Sequence, residues 1–273
     1  VRSTRLLICA LLMPTYVGLR ALLLSIDARP MPGHVVTLAY TSVLMLVQLG
    51  LVALIAGLQL RLRNTLAVVI PTMFLLIGVM GLENSVVSVS AEPTTVLMAL
   101  AVFHDLFLMI FAGVLGHMIS FIVREPNILL PAALFAALVD YWNVTWGILS
   151  KAIISRPEVV ARLSVTVPTP VGCASTIGMG DFVFWALFFG VLYRFNMNTK
   201  AAFWLGYALL TASMVLVMVV GGAIPALVPM GLAIIASNIR LFKLNREELL
   251  ATVYVGLILF VFLAISAILF VRS

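Results

Sequence analysis

The stretch Gly178-Met179-Gly180-Asp181-Phe182-Val183-Phe184-Trp185 places a carboxylate, introduced by two glycines, at the head of an apolar run that continues to Tyr193. A second carboxylate interrupts the preceding apolar run, in Ala136-Ala137-Leu138-Val139-Asp140-Tyr141-Trp142. Composition decides what surrounds them. The 273 residues are 64% hydrophobic and 10% charged, with a mean hydropathy of +1.24. A soluble domain carries about a quarter charged residues. Polar surface is too scarce here to cover a water-soluble globule, and no polar block is long enough to form a separate domain. Charges held in hydrocarbon are costly and usually pair, so each acid is the natural partner of the other.

A window of about 19 residues marks about nine spans. They lie at 6–24, 36–60, 65–82, 95–123, 129–150, 177–193, 201–220, 223–237 and 250–271. The expected fold class is all-α: a polytopic membrane protein, a bundle of about nine transmembrane helices. It divides into four N-terminal spans over 1–127, a core over 128–237 that carries both acids, and a loop with an extra C-terminal helix over 238–273. The first span has Arg2 and Arg5 before its apolar core, as a signal peptide would. It runs past Arg20 to Leu24 without a small-residue cleavage site, so it is read as a span.

The net charge of +6 does not point to nucleic acid, because nearly all Lys and Arg sit at the ends of apolar runs, as topology signals do. Arg2, Arg5, Arg61, Arg63, Arg124, Arg194, Lys200, Arg240, Lys243 and Arg246 fall on one membrane face. Arg29, Lys151, Arg156, Arg162 and Arg272 fall on the other. This bias puts the N-terminus in the cytoplasm. Cys9 and Cys173 fit neither a metal spacing nor a disulfide framework. No metal and no cofactor are expected.

Asp140 stands toward the end of the fifth span and Asp181 near the start of the sixth, so two antiparallel helices carry their acids at similar depth. Two carboxylates a few Å apart cannot both ionise and share a proton. The ionised member can take a proton from water while the other donates to a scissile carbonyl and then to the leaving amine. Gly178 and Gly180 remove bulk beside Asp181 and would let another backbone approach. A third element, Gly221-Gly222-Ala223-Ile224-Pro225-Ala226-Leu227-Val228-Pro229, interrupts a helical ladder at membrane depth. Such backbone is tolerated where it is buried in protein or lines a water-filled cavity.

Asp140, then Gly178-Met179-Gly180-Asp181, then Pro225-Ala226-Leu227 together resemble the presenilin and signal peptide peptidase family of intramembrane aspartyl proteases, in the sense of a divergent, prokaryotic member. The likeness covers the fifth to eighth spans. It implies a presenilin-like arrangement of those helices, with Asp140 and Asp181 as the catalytic pair. Gly178, Met179, Gly180 and Tyr141 would shape the site, and Pro225, Ala226 and Leu227 would receive substrate. The family has a tyrosine before its first acid, whereas Val139 precedes Asp140 here and Tyr141 follows it. Four spans, not five, precede that acid, and one span follows the Pro225 helix. The implied substrate is a transmembrane peptide or signal peptide within a lipid bilayer, and the implied location is a prokaryotic plasma membrane.

Other readings stay open on the sequence. A proton- or cation-coupled transporter would use Asp105, Asp140 and Asp181 as carriers, with helices broken at Gly178 and Pro225. A prepilin-peptidase-like protease would hold its acids in polar loops, against which the run Phe182-Val183-Phe184-Trp185 argues. His104-Asp105, with His117 further along the same helix, reads as a structural ion pair, a proton relay or a metal site. Arg20 either pairs with Asp105 or snorkels to an interface.

Overall fold

A computed structural model describes residues 2–26, 34–89, 95–145, 162–167, 175–220, 225–242 and 245–250, with positions 253–254, 256–257 and 261. Gly221, Gly222, Cys173, Trp146, Arg29, Lys151, Arg156, Lys243, Arg272 and most of the ninth span lie outside the described residues. The helices are α1 (Arg2–Ile26), α2 (His34–Gly57), α3 (Leu62–Val89), α4 (Thr95–Ser120), α5 (Leu129–Thr145), α6 (Met179–Arg194), α7 (Thr199–Val220) and α8 (Leu227–Asn238). Two short strands, β1 (Ser164–Val167) and β2 (Ser175–Gly178), precede α6. Residues 246–250 are again helical.

Five helices are long and apolar enough to cross a membrane, over Ser3–Leu22, Leu38–Gly57, Leu62–Val87, Thr95–Ser120 and Thr199–Val217. That fits a multi-pass integral membrane protein, mostly helical as expected. Three of the other expected spans are shorter helices: α5 has 17 residues, α6 has 16 and α8 has 12. At about 1.5 Å per residue, 16 residues rise about 24 Å, less than the hydrocarbon thickness of about 30 Å.

Pro14 and Pro71 lie inside α1 and α3. Each removes a helical donor, and each is followed by a threonine whose hydroxyl reaches back one turn. Thr15 donates to the Leu11 carbonyl at 2.8 Å and Thr72 to the Val68 carbonyl at 2.7 Å. These bonds go to the carbonyl one turn before each threonine, not to those of Ala10 and Ala67, which the prolines leave without a helical donor.

The chain forms two compact units. The first comprises Val1–Phe121 with Glu158–Gly190, and the second Ile122–Pro157 with Val191–Ser273. In the first unit α4 packs against α1, α2, α3 and β1. Its contact with α6 is the tightest. A Cβ on Gly116 would lie 2.2 Å from the Val183 carbonyl oxygen and 2.6 Å from the Ala186 Cβ. One turn along, a Cβ on Gly190 would meet the Ser120 Oγ at 2.7 Å. Small residues four apart on both helices thus bring the backbones together, the usual basis of helix association in lipid. Trp185 adds a buried hydrogen bond from its Nε1 to the Leu49 carbonyl of α2, at 3.1 Å.

The hairpin was not legible as strand. Residue 177 reads as the start of a span, but β1 and β2 pair antiparallel, with Ser164 opposite Gly178 and Val167 opposite Ser175. Val165, Thr166, Val167, Thr176 and Ile177 are β-branched and favour the extended chain over helix. The helix therefore begins only at Met179.

In the second unit α8 packs on α5 and α7. Gly231 permits the α5 approach, since a Cβ there would stand 3.2 Å from the Ala133 carbonyl oxygen. Asn238, fully buried at the end of α8, accepts from the Asn198 N–H at 2.8 Å and donates to the Ile234 carbonyl at 3.1 Å. The Arg194 guanidinium donates to the Val123 carbonyl. Asn127 Nδ2 donates to Glu248 Oε2 at 3.1 Å, which anchors the chain beyond α8.

The α4–α6 contact yields a stability prediction. Gly116→Val should cost at least about 1–3 kcal/mol through overpacking against backbone that cannot yield. Gly78→Ala, where a Cβ meets nothing within 4 Å, should leave stability unchanged or slightly raised. Thermal unfolding in detergent, followed by helical circular dichroism, compares the two.

Candidate functional site

Asp140 belongs to the second unit. Its Oδ2 accepts the Leu227 N–H at 2.9 Å, across 87 residues of sequence. The first turn of a helix has backbone donors with no partner in the helix. The residue before α8 is Ala226, which offers no side-chain cap. Asp140 supplies the missing acceptor from α5, and a carboxylate suits that position because the helix dipole favours negative charge there. Pro225 is buried just ahead of the turn. Pro229 lies in the first turn, where the helix needs no N–H from it, and Met230 N–H closes on the Ala226 carbonyl at 3.3 Å. Pro229 therefore helps to start α8 rather than break it. Tyr141, one residue past the acid, lies about 100° round the helix and is 48% exposed.

Asp181 belongs to the first unit, in the first turn of α6. Its Oδ2 accepts the Gly178 N–H at 3.2 Å. This is half of a capping box: the third residue of the helix reaches back to the amide of the residue that caps it. The Met179 N–H is taken by the Leu163 carbonyl at 2.8 Å, which continues the hairpin ladder into the helix start. The glycines do not serve close backbone packing. A Cβ on Gly178 would meet nothing nearer than Asp181 Oδ2 at 3.7 Å, and one on Gly180 would meet nothing within 4 Å. Gly180 is exposed. Both positions border open space.

The residues expected to form one site thus fall into two groups. Asp140, Tyr141, Pro225, Ala226 and Leu227 stand in one unit, and Gly178, Met179, Gly180 and Asp181 in the other. Within each group the acid is tied by a hydrogen bond to its glycine- or proline-marked helix start.

A third acid lies in the first unit. Asp105 Oδ2 accepts from Arg20 Nε at 2.9 Å and from the Tyr16 hydroxyl at 3.2 Å, all three buried. His104 Nδ1 stands 3.7 Å from Asp105 Oδ1. Arg20 therefore pairs with Asp105 instead of snorkelling. Tyr16 was not singled out on the sequence, although it and Arg20 are four residues apart and so share one face of α1. His117 is engaged elsewhere, its Nε2 at 3.1 Å from the Leu60 carbonyl. Among the described residues no three His, Cys, Asp or Glu side chains are grouped to hold a metal ion.

The Arg20–Asp105 pair predicts an asymmetric response to mutation. Arg20→Met strands a buried charge and should cost about 3–5 kcal/mol. The double variant Arg20→Met with Asp105→Leu should recover much of that loss, because a well-packed apolar pair replaces an ion pair at little cost. Unfolding midpoints of the single and double variants provide the comparison.

No family model matches the chain, and no curated protein or solved structure matches it.

Proposed function

We propose that this chain is an intramembrane aspartyl protease of the presenilin and signal peptide peptidase type. It would hydrolyse peptide bonds within the transmembrane segments of membrane proteins or signal peptides, with Asp140 and Asp181 as its catalytic pair. The observation that carries the reading is the Leu227 N–H bond to Asp140. It joins two of the three signature elements, which nothing in the composition requires.

Position along the helices supports the same reading. Arg124, Arg194 and Arg240 mark one membrane face in the charge distribution. Along its own helix, at about 1.5 Å per residue, Asp181 lies about 20 Å from Arg194, Asp140 about 17 Å from Leu129 and Leu227 about 20 Å from Arg240. Each of these lengths is shorter than a hydrocarbon core about 30 Å thick. Each acid also has a reason to be there, since a helix start that begins in the membrane needs an acceptor.

In the proposed reaction the ionised carboxylate takes a proton from water as the water oxygen attacks the scissile carbonyl carbon. The protonated partner hydrogen-bonds the carbonyl oxygen and then passes its proton to the leaving nitrogen as the C–N bond breaks. The substrate helix must first unwind, because its own hydrogen bonds shield the carbonyl. An extended stretch could then add alongside β2, the strand that leads into Asp181, by backbone pairing. The proposed setting is a prokaryotic plasma membrane with the N-terminus in the cytoplasm.

Because both acids also cap helices, alanine confounds chemistry with folding, and asparagine separates them. Asn keeps an oxygen that accepts the Leu227 or Gly178 N–H, yet it cannot transfer a proton. Asp140→Asn and Asp181→Asn should each keep the unfolding midpoint and lower cleavage of fluorogenic transmembrane peptides in proteoliposomes by at least about 100-fold. Full cleavage by either variant would reduce that acid to a cap. Absent cleavage by the native chain across a mixed peptide panel, with ion flux sensitive to Asp181→Asn, would favour the transporter instead.

Gly180 gives a second test. Ala fits at Gly180 without a clash, so Gly180→Ala should leave stability intact. If the space beside Gly180 receives substrate, the same change should raise KM several-fold.

A further inference from the structure

We infer that His104 is a positioning residue for Asp181, acting through the main-chain carbonyl of Arg162; this rests on Asp181 being a catalytic acid. His104 Nε2 lies 3.0 Å from the Arg162 carbonyl oxygen. A carbonyl has no proton to give, so Nε2 must be the donor. His104 is buried in α4, whereas Arg162 is the first described residue of the segment that enters β1. One hydrogen bond therefore pins the entry of the hairpin to the best-packed helix of the first unit.

Both sides of that bond are braced. On the histidine side, Asp105 faces Nδ1 and is itself held by Arg20 and Tyr16 of α1. This fixes the ring in its buried setting. On the hairpin side, the Arg162 guanidinium donates to Asn84 Oδ1 of α3 at 2.8 Å, a second, exposed hold on the same residue. The next residue, Leu163, uses its carbonyl to accept the Met179 N–H at 2.8 Å. Ser164 then pairs with Gly178, whose N–H donates to the Asp181 carboxylate. The Arg162 carbonyl and the Asp181 carboxylate are thus linked through adjacent backbone, the Leu163–Met179 bond and the Gly178 N–H. If the His104 bond is lost, the hairpin entry is released, and the helix start that aims Asp181 moves with it. Catalytic geometry is sensitive to such shifts: a displacement of about 1 Å can cost about 100-fold in rate.

The test uses two polar replacements that differ in reach. Gln places its amide nitrogen near the position of Nε2 and can still donate to the Arg162 carbonyl. Asn places its amide near Nδ1, still facing Asp105 but short of Arg162. Both keep a polar group in the buried site, so a merely structural role for His104 predicts equal effects. Positioning predicts a split. For the full chain in proteoliposomes, His104→Asn should lower kcat for a fluorogenic transmembrane peptide by roughly 10- to 100-fold, with KM little changed. It should also speed hydrogen exchange at the Met179 amide. His104→Gln should stay near the native chain in both. Equal behaviour of the two variants, whether both intact or both impaired, overturns the inference. Asp181→Asn runs alongside. If it still cleaves, Asp181 is a cap and not a catalytic acid, the positioning role falls with it, and the Met179 exchange of the Asn and Gln variants alone decides whether His104 clamps the hairpin.

Discussion

A helix that begins inside hydrocarbon exposes backbone N–H groups that water cannot reach, and the protein must satisfy them itself. In this chain carboxylates supply the acceptor at two helix starts. Asp140 closes the start of α8 through the Leu227 N–H, and Asp181 closes the start of α6 through the Gly178 N–H. The same constraint explains why the acids persist in so apolar a sequence. Each helix start favours a nearby negative charge, and each carboxylate gains a donor that offsets part of its loss of water. Capping and chemistry are compatible roles for one side chain, because a cap engages one oxygen of the two.

Satisfaction by internal partners runs through the rest of the first unit. Arg20, Tyr16 and His104 surround Asp105, while the hydroxyls of Thr15 and Thr72 bond back to carbonyls of their own helices. Small residues at Gly116, Ser120, Ala186 and Gly190 let α4 and α6 approach until their backbones nearly touch. In lipid no hydrophobic force distinguishes one apolar face from another, so such close fits and polar ties decide which helices meet. The helix that carries Asp181 is therefore fixed along its length by packing and at its start by the hairpin.

Much of this could be read from the sequence. Apolar runs marked α1 to α4 and α7 because length and hydropathy are local properties. Asp140, Asp181 and the Pro225–Leu227 turn stood out because polar or helix-breaking residues are rare in such runs. The hairpin did not stand out. Its two four-residue strands are joined through 168–174, and a stretch as short as Ser175–Gly178 reads equally well as strand or helix start. Its identity depends on pairing with Ser164–Val167, which is a non-local fact. The space at Gly180 was likewise not legible, since only the packed structure distinguishes a glycine against a neighbour from one that borders open space.

By itself the sequence determined the solvent of this protein, the helical character of its spans and the small set of polar residues that must matter in lipid, because each follows from composition and one-dimensional spacing. The tertiary structure alone decided the partners. It gave Asp105 to Arg20 and Tyr16, Asp140 to the Leu227 amide, Asp181 to its own helix cap and His104 to the Arg162 carbonyl. The physical reason is that a buried polar group requires satisfaction but does not specify by what. The nearest group of the right polarity meets the need, and which group is nearest is settled only when the helices pack.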